Sequence, residues 1–419
     1  MFHSGGDIGC RLPERGKQAF PLLSVASQLE LESFAADAAG FGKEKVAAAV
    51  PATMFTAAVV SQLEGTGVLG GLLVVDTPPP DTAKASAAAF SPEDRREGWN
   101  AHGSALLRRS LDFPVVLLSG EGGQGALEAG VSNRAHGLGS FPRYMAEFEF
   151  YFGAASISSK ECLQWVDKDG ARDPQCLPMG GQSSWGVLDG PYSSSDSAPS
   201  GGKPVVLLSA AMDSVSFFHN TVPAANGAAS GLVALLAAAD ALAAAADDLH
   251  LTSLANAIGF AAFQGEAWGR AVVALDQVGI LSSPHSLFLH ASPAAATSSI
   301  DALLAVGADI GGDFSMGPSS TQELPPTSLD SFLENNSSVA GFVISGYDHP
   351  FADELYRSHW DTADRLDGAT IQHAALAAAR GVYVLAGGLL STAMARIAAN
   401  ATLIHSLTDC IANDMHMHT

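Results

Sequence analysis

Pro204-Val205-Val206-Leu207-Leu208-Ser209-Ala210-Ala211-Met212-Asp213-Ser214 decides the fold. Its apolar first half has the length and composition of a buried strand, and it runs out into polar residues. A loop ending Pro223-Ala224-Ala225-Asn226-Gly227-Ala228-Ala229-Ser230-Gly231 opens an Ala/Leu-rich helical stretch, Ala228–Ala246, with Leu232, Leu235 and Leu236 as its core-facing bulk. A second strand, Ile258–Phe263, ends in Gln264-Gly265-Glu266-Ala267-Trp268-Gly269. Strand, helix and strand at these lengths make a parallel unit. Polar groups at the carboxyl ends of its strands lie where α/β sheets form their ligand crevices.

The same alternation continues outward. Strands are expected at Gly71–Asp76, Pro114–Leu118, Ser286–His290 and Val339–Ile344, and helices at Thr53–Leu63, Glu266–Val278 and Ala369–Leu390. The Gly/Ser-rich stretch Gly190–Lys203 reads as a linker, which sets a boundary near residue 200. Loops are expected at Thr77–Arg96 and Gly311–Pro326. The fold class is α/β in two lobes, 1–200 and 201–419.

Composition narrows the function. The 419 residues carry 43 acidic and 21 basic groups, a net charge of −22, and 47% are apolar against 15% charged. Such a chain buries a large core and is not disordered. An acidic surface with no basic stripe excludes nucleic acid as a partner and a polybasic contact with anionic lipid. Met1-Phe2-His3-Ser4-Gly5-Gly6 has neither the charged start nor the apolar stretch of a signal peptide. The longest apolar run, Ala228–Ala246, is mostly alanine and is broken by Ser230 and Asp240, so it reads as a buried helix and not a membrane span.

Single-motif chemistry is weak. Gly120, Gly122 and Gly125 form a G-x-G-x-x-G, but Gly130, Asn133 and Gly137 argue against the long helix a dinucleotide site needs, and Glu121 puts negative charge where phosphate would sit. A surface loop is expected there. No H-E-x-x-H and no G-x-S-x-G occurs. Of the four cysteines, Cys162 and Cys176 flank a turn-rich stretch whose length suits a local disulfide in an oxidising compartment; two free thiols are the alternative. Asn335, Asn336 and Asn400 each head an N-x-S/T sequon, a glycosylation acceptor.

The arrangement at 204–279 resembles the di-zinc aminopeptidase family. There the first strand ends in H-x-D, the loop reads P-G-x-x-D-x-x-S-G, and the next strand ends in E-E-W-G. The resemblance implies a general base at the first Glu, a zinc ligand at the second and a metal-bridging Asp in the loop. On this chain the His position is Ala211, the bridging Asp is Gly227, the second Glu is Ala267, and a later His falls near Arg357. A fourth ligand, an Asp after the next strand, falls on His290. Asp213 and Glu266 remain. Zinc takes three or four N, O or S ligands, and Ala and Gly supply none. The expectation is therefore a pseudoenzyme with no catalytic residues, no metal and no cofactor.

That degeneracy is similar to the nicastrin family. Its L-D-S-x-S-F-F appears as Met212-Asp213-Ser214-Val215-Ser216-Phe217-Phe218, its F-F-Q-G-E as Ala262-Phe263-Gln264-Gly265-Glu266, its L-P-P-S-S-L-x-x-F-L as Leu324–Leu333, and its Y-D-T-A-E as Trp360-Asp361-Thr362-Ala363-Asp364. The family's D-Y-I-G-S after the Glu is replaced by Trp268-Gly269-Arg270-Ala271-Val272-Val273. The resemblance implies an aminopeptidase-like large lobe with a mixed sheet flanked by helices, truncated at its C-terminal part, and a smaller α/β lobe with a lid. It implies a lumenal or extracellular ectodomain of γ-secretase, with presenilin and the other subunits as partners and type I membrane-protein stubs as substrates. It places substrate recognition at Glu266, Asp213 and Trp268. Two other readings stay open: a working zinc aminopeptidase using His290, His359 and Asp213, and a secreted binding module.

Overall fold

The six runs read as strands are strands in the computed structural model, which describes residues 9–10, 17–42, 44–78, 99–100, 104, 106–137, 142–149, 159–174, 181–188, 203–218, 221, 223–265, 273–327 and 329–414. The chain divides into two units, Met1–Glu93 with His102–Pro178, and Asp94–Ala101 with Met179–Thr419.

In the first unit lie β1 (Gly9–Cys10), β2 (Gln18–Ser24), β3 (Val46–Pro51), β4 (Leu69–Val75), β5 (Ser110–Leu111), β6 (Val115–Leu118) and β7 (Met145–Phe148), with helices α1 (Gln28–Asp37), α2 (Ala57–Gly65), α3 (Gly120–His136) and α4 (Ser159–Leu163). The main sheet runs β6-β4-β3-β2-β7, parallel except for β7 at the edge. β3 is buried from Val46 to Val50, as a parallel strand covered on both faces must be. Ser27 and Thr56 cap α1 and α2 through their hydroxyls.

The expected glycine loop is α3, a 17-residue helix. Packing overrides the low helix propensity of glycine. A Cβ on Gly130 would stand 2.2 Å from Ser24 N and 2.6 Å from Leu23 C, so only glycine lets the helix rest on the β2 backbone. Asn133, fully buried, donates through Nδ2 to Leu22 O and Tyr144 O, both at 2.8 Å, and accepts at Oδ1 from Arg143 N and Tyr144 N, both at 3.0 Å. Of the residues read as helix breakers, Gly130 and Asn133 form the contact face, and Gly137 ends the helix at φ 82°.

The second unit holds β8 (Ser184–Val187), β9 (Val205–Ala211), β10 (Ala257–Phe263), β11 (Val273–Asp276), β12 (Ser286–Ala291), β13 (Ser315–Pro318) and β14 (Phe342–Ser345), in the order β13-β12-β14-β11-β9-β10-β8. β10, β9, β11 and β14 are parallel, β8 and β12 run against their neighbours β10 and β14, and the sheet is mixed. Its helices are α5 (Ser230–Ala244), α6 (Ala246–Leu249), α7 (Thr297–Gly307), α8 (Leu329–Asn335), α9 (Gly368–Leu385), α10 (Leu390–Arg396) and α11 (Ala401–Thr408). β8 lies on the N-terminal side of the expected boundary yet pairs with β10 of this sheet.

Four local expectations change. The helix expected over Glu266–Val278 contains β11, because parallel partners on both sides outweigh its local helical pattern; residues 266–272 lie outside the described residues. The loop Gly311–Pro326 contains β13. The last long helix stops at Leu385, where Gly387 turns at φ 103°. Leu236 is 39% exposed while Leu232 and Leu235 are buried, since the face of α5 in the core is largely alanine. Among the described residues, Ala225–Ala244 alone is long and apolar enough to cross a bilayer, and being two-thirds buried it is a core helix. The expected linker residues 190–202 lie outside the described residues.

Candidate functional site

β9 delivers Ala211 to the carboxyl edge of the sheet, and the chain continues through Asp213, Ser214 and Ser216, all buried. The loop ahead of α5 brings a second segment to that edge. Ala224 takes a left-handed conformation, φ 51° and ψ 38°, and Ala225–Ala229 then wind as a π turn into the helix. This tilt turns three successive amides toward one residue, Asp361. Ala225 N donates to its carbonyl at 3.0 Å, Asn226 N to Oδ1 at 2.7 Å, and Gly227 N to Oδ2 at 2.9 Å.

A second carboxylate lies beside the first. Asp353, also buried, accepts from Asn226 Nδ2 at 3.2 Å, from Arg365 at 2.6 Å and from Leu355 N at 3.0 Å. Asn226 is the hub: its Oδ1 accepts from Gly279 N at 3.0 Å and its carbonyl from Ser230 Oγ at 2.9 Å. Burial, and then the charge of Asp353, push the Asp361 carboxyl up from its ordinary 3.8 to about 7, against the two amides and Arg365, which favour the ion.

Asp276 closes β11 at the same edge. Its Oδ2 accepts from Tyr347 OH at 2.5 Å and from Gln277 Nε2 at 3.3 Å. The strand that follows β10 in the chain is thus β11, and it ends on Asp276. His290 lies inside β12, where Nε2 faces Ser345 Oγ at 2.9 Å and Tyr347 O at 3.2 Å.

The other expected positions sort as follows. Ala211 ends β9 at the carboxyl edge of the sheet and Gly227 lies beside Asp361, where a Cβ would stand 3.2 Å from Asp361 Oδ2 and 3.6 Å from Ser214 Oγ. Arg357, at φ 57°, lays its guanidinium 4.9 Å over the Tyr356 ring. Glu266, Ala267 and Trp268 lie outside the described residues, as does Cys176. Cys162 is buried and disulfide-bonded, while Cys10 and Cys410 are free thiols. Asn335, Asn336 and Asn400 are exposed, and Asn400 caps α11 through Oδ1. Among the described residues no three His, Cys, Asp or Glu side chains are grouped to hold a metal ion. Asp353, Asn226, Arg365 and Tyr347 were not singled out from the sequence. Asp361 stood inside a quoted motif with no role attached.

Comparison with known proteins gives the family. A family model described as nicastrin small lobe matches residues 1–154, and one described as nicastrin large lobe matches 204–308 and 270–389. A nicastrin of Arabidopsis thaliana is 30% identical over 372 residues, 77% of this chain and 52% of its own length. The crystal structure of the gamma-secretase component nicastrin aligns over 98% of this chain and 76% of its own, with a TM-score of 0.72 at 19% identity. A zinc aminopeptidase from Bacillus subtilis aligns over 94% of this chain and 81% of its own, with a TM-score of 0.45 at 15% identity. The chain spans about half the length of the curated relatives it matches. With both lobe models matched in order along most of its length, the chain belongs to the nicastrin family.

Proposed function

We propose that this chain is a non-catalytic, nicastrin-type subunit of γ-secretase that acts in assembly and in recognition or steric gating of type I membrane-protein stubs, with catalysis left to presenilin. The observation that carries this is the pairing of Gly227 with Asp361: the residue at the bridging-ligand position offers a backbone amide to a buried carboxylate. An aspartate at 227 would have to start 3.2 Å from Asp361 Oδ2, putting two carboxylates against each other. The loop is built to bind its own chain, where a two-metal clamp needs carboxylates free to face dications.

In this reading the protein is a lumenal or extracellular ectodomain. Cys162 pairs with Cys176, the sequons at Asn335, Asn336 and Asn400 are glycosylated, and the small lobe carries the lid. Glu266, with Asp213 and Trp268, receives the free amino terminus of the substrate by charge pairing. The test expresses the tagged chain in cells lacking their own nicastrin. Co-purification with presenilin from detergent-solubilised membranes, and restored cleavage of stubs, is the expected result. Stoichiometric zinc with chelator-sensitive peptidase activity in the purified protein overturns the reading in favour of an aminopeptidase. Glu266→Gln is expected to weaken stub capture without unfolding the domain; unchanged capture leaves steric gating.

A further inference from the structure

Trp99 comes from the first quarter of the sequence yet belongs to the second unit, and it is completely buried there. Its indole stands edge-on to His349, His290 and Tyr347 at centroid distances of 4.7, 5.5 and 6.0 Å, and its carbonyl accepts from Phe351 N at 3.0 Å. An indole nitrogen only donates, and Trp99 Nε1 is buried with no acceptor among the described residues.

The neighbouring imidazole has the complementary problem. Ser345 Oγ donates to Tyr347 O at 2.7 Å, so both oxygens near His290 Nε2 offer it lone pairs. Nε2 therefore carries the hydrogen and Nδ1 is a bare acceptor. His290 is 1% exposed, and Nδ1 is buried with no donor among the described residues. Burial also drives the imidazole pKa down to about 4, which keeps this neutral form in place at neutral and mildly acid pH.

A buried donor and a buried acceptor, each unmet, thus lie on adjacent rings among aromatic neighbours. Leaving either bare is unfavourable, because each has given up water without gaining a partner. A single water supplies both functions and is the smallest species that can. We propose that Trp99 Nε1 and His290 Nδ1 hold one internal water between them, the indole donating to its oxygen and the water donating to the imidazole. The water completes a chain from Trp99 through His290 to the Tyr347 carbonyl, and the Tyr347 hydroxyl reaches Asp276 at the crevice. His290 is then a positioning residue that ties Trp99 to the crevice edge.

The test labels the five tryptophans with 15N and reads their indole protons for cross-relaxation with water. Trp99→Phe assigns the resonance; should that variant not fold, substituting Trp165, Trp185, Trp268 and Trp360 in turn assigns it by elimination. A buried Trp99 indole proton that cross-relaxes with a long-lived water is the expected result. His290→Gln keeps a donor toward the Tyr347 carbonyl and removes the Nδ1 acceptor, so the cross-peak is lost. The urea midpoint shift of Trp99→Phe should be smaller in the His290→Gln background than in the parent. A folded parent with no water cross-peak at Trp99, a direct indole–imidazole bond included, overturns the proposal, as do midpoint shifts that simply add.

Discussion

Asn133 in the first unit and Asp361 in the second do the same mechanical work with side chains that differ by one ionisable group. Each is fully buried, and each satisfies two backbone N–H groups of a segment that would otherwise lie unpaired: Arg143 and Tyr144 in one case, Asn226 and Gly227 in the other. Asn133 also has two N–H groups to give, which pair Leu22 O and Tyr144 O, so its stitch is neutral and complete. Asp361 has only acceptors when ionised, and a second carboxylate, Asp353, reaches the same hub residue, Asn226. One junction is therefore indifferent to protons and the other is not.

The largest effect tests the neutral stitch. Asn133→Leu removes the four hydrogen bonds of a fully buried amide, one of them buried and three part-buried, and a loss of about 4 kcal/mol is expected from their sum. Equilibrium urea unfolding should show the same loss at pH 5 and pH 7. A pH-dependent cost would break the comparison. Gly130→Ala comes next. Its Cβ would meet the backbone of Leu23 and Ser24, which cannot swing aside, so about 3 kcal/mol is expected. A change under about 1 kcal/mol would mean that α3 can lift from β2 without cost.

Asp361→Asn addresses the charged stitch. The amide keeps one acceptor but turns an NH2 toward the second backbone N–H, so about 2 kcal/mol is expected at neutral pH. The pH profile is more diagnostic. Folding raises the Asp361 pKa from 3.8 to about 7. Between those values the folded state binds more protons than the unfolded chain, so this carboxyl makes stability fall as pH rises through the window. Its contribution is fully present below the unfolded value and lost as pH passes the folded one. The slope should approach 1.4 kcal/mol per pH unit at most, on the order set by one proton, and Asp361→Asn should flatten it. An unchanged profile would assign the titration to another group.

The comparison also shows what a linear reading can see. Six strands were legible because buried strands are short apolar runs, whereas β2, begun by Gln18 and holding Pro21, and the alanine-rich β3 were not. Strand order was not legible either, since β11 sits between β9 and β14 by pairing and carries no stronger strand pattern than its neighbours in sequence. The same gap hid Asp276: a segment taken for helix left the crevice carboxylate without a strand to end. α3 was missed for a different reason. Gly130 and Asn133 break helices in isolation, and only the β2 backbone they touch makes them useful. At the candidate site, Ala211 and Gly227 could be set against the resembling pattern position by position. The replacement, Asp361 bonded to residues 135 and 134 positions earlier, is a tertiary fact with no local signal.

Ala224 is the smallest lever on the crevice loop. It is fully buried at φ 51°, at the position where the resembling loop pattern carries glycine. A left-handed conformation costs an L-residue roughly 1–2 kcal/mol. Glycine would recover that strain, lose a buried methyl worth about 0.8 kcal/mol, and restore about 0.4–1 kcal/mol of unfolded-chain entropy. The terms nearly cancel, so Ala224→Gly should move stability by less than about 0.5 kcal/mol in either direction. Such a balance accounts for an alanine standing where the turn asks for glycine. Ala224→Val, which adds a branched carbon to the same conformation, should cost about 2 kcal/mol or more. If glycine instead destabilises by more than about 1 kcal/mol, the methyl packs more tightly against the π turn than area alone predicts, and the charged stitch depends on it.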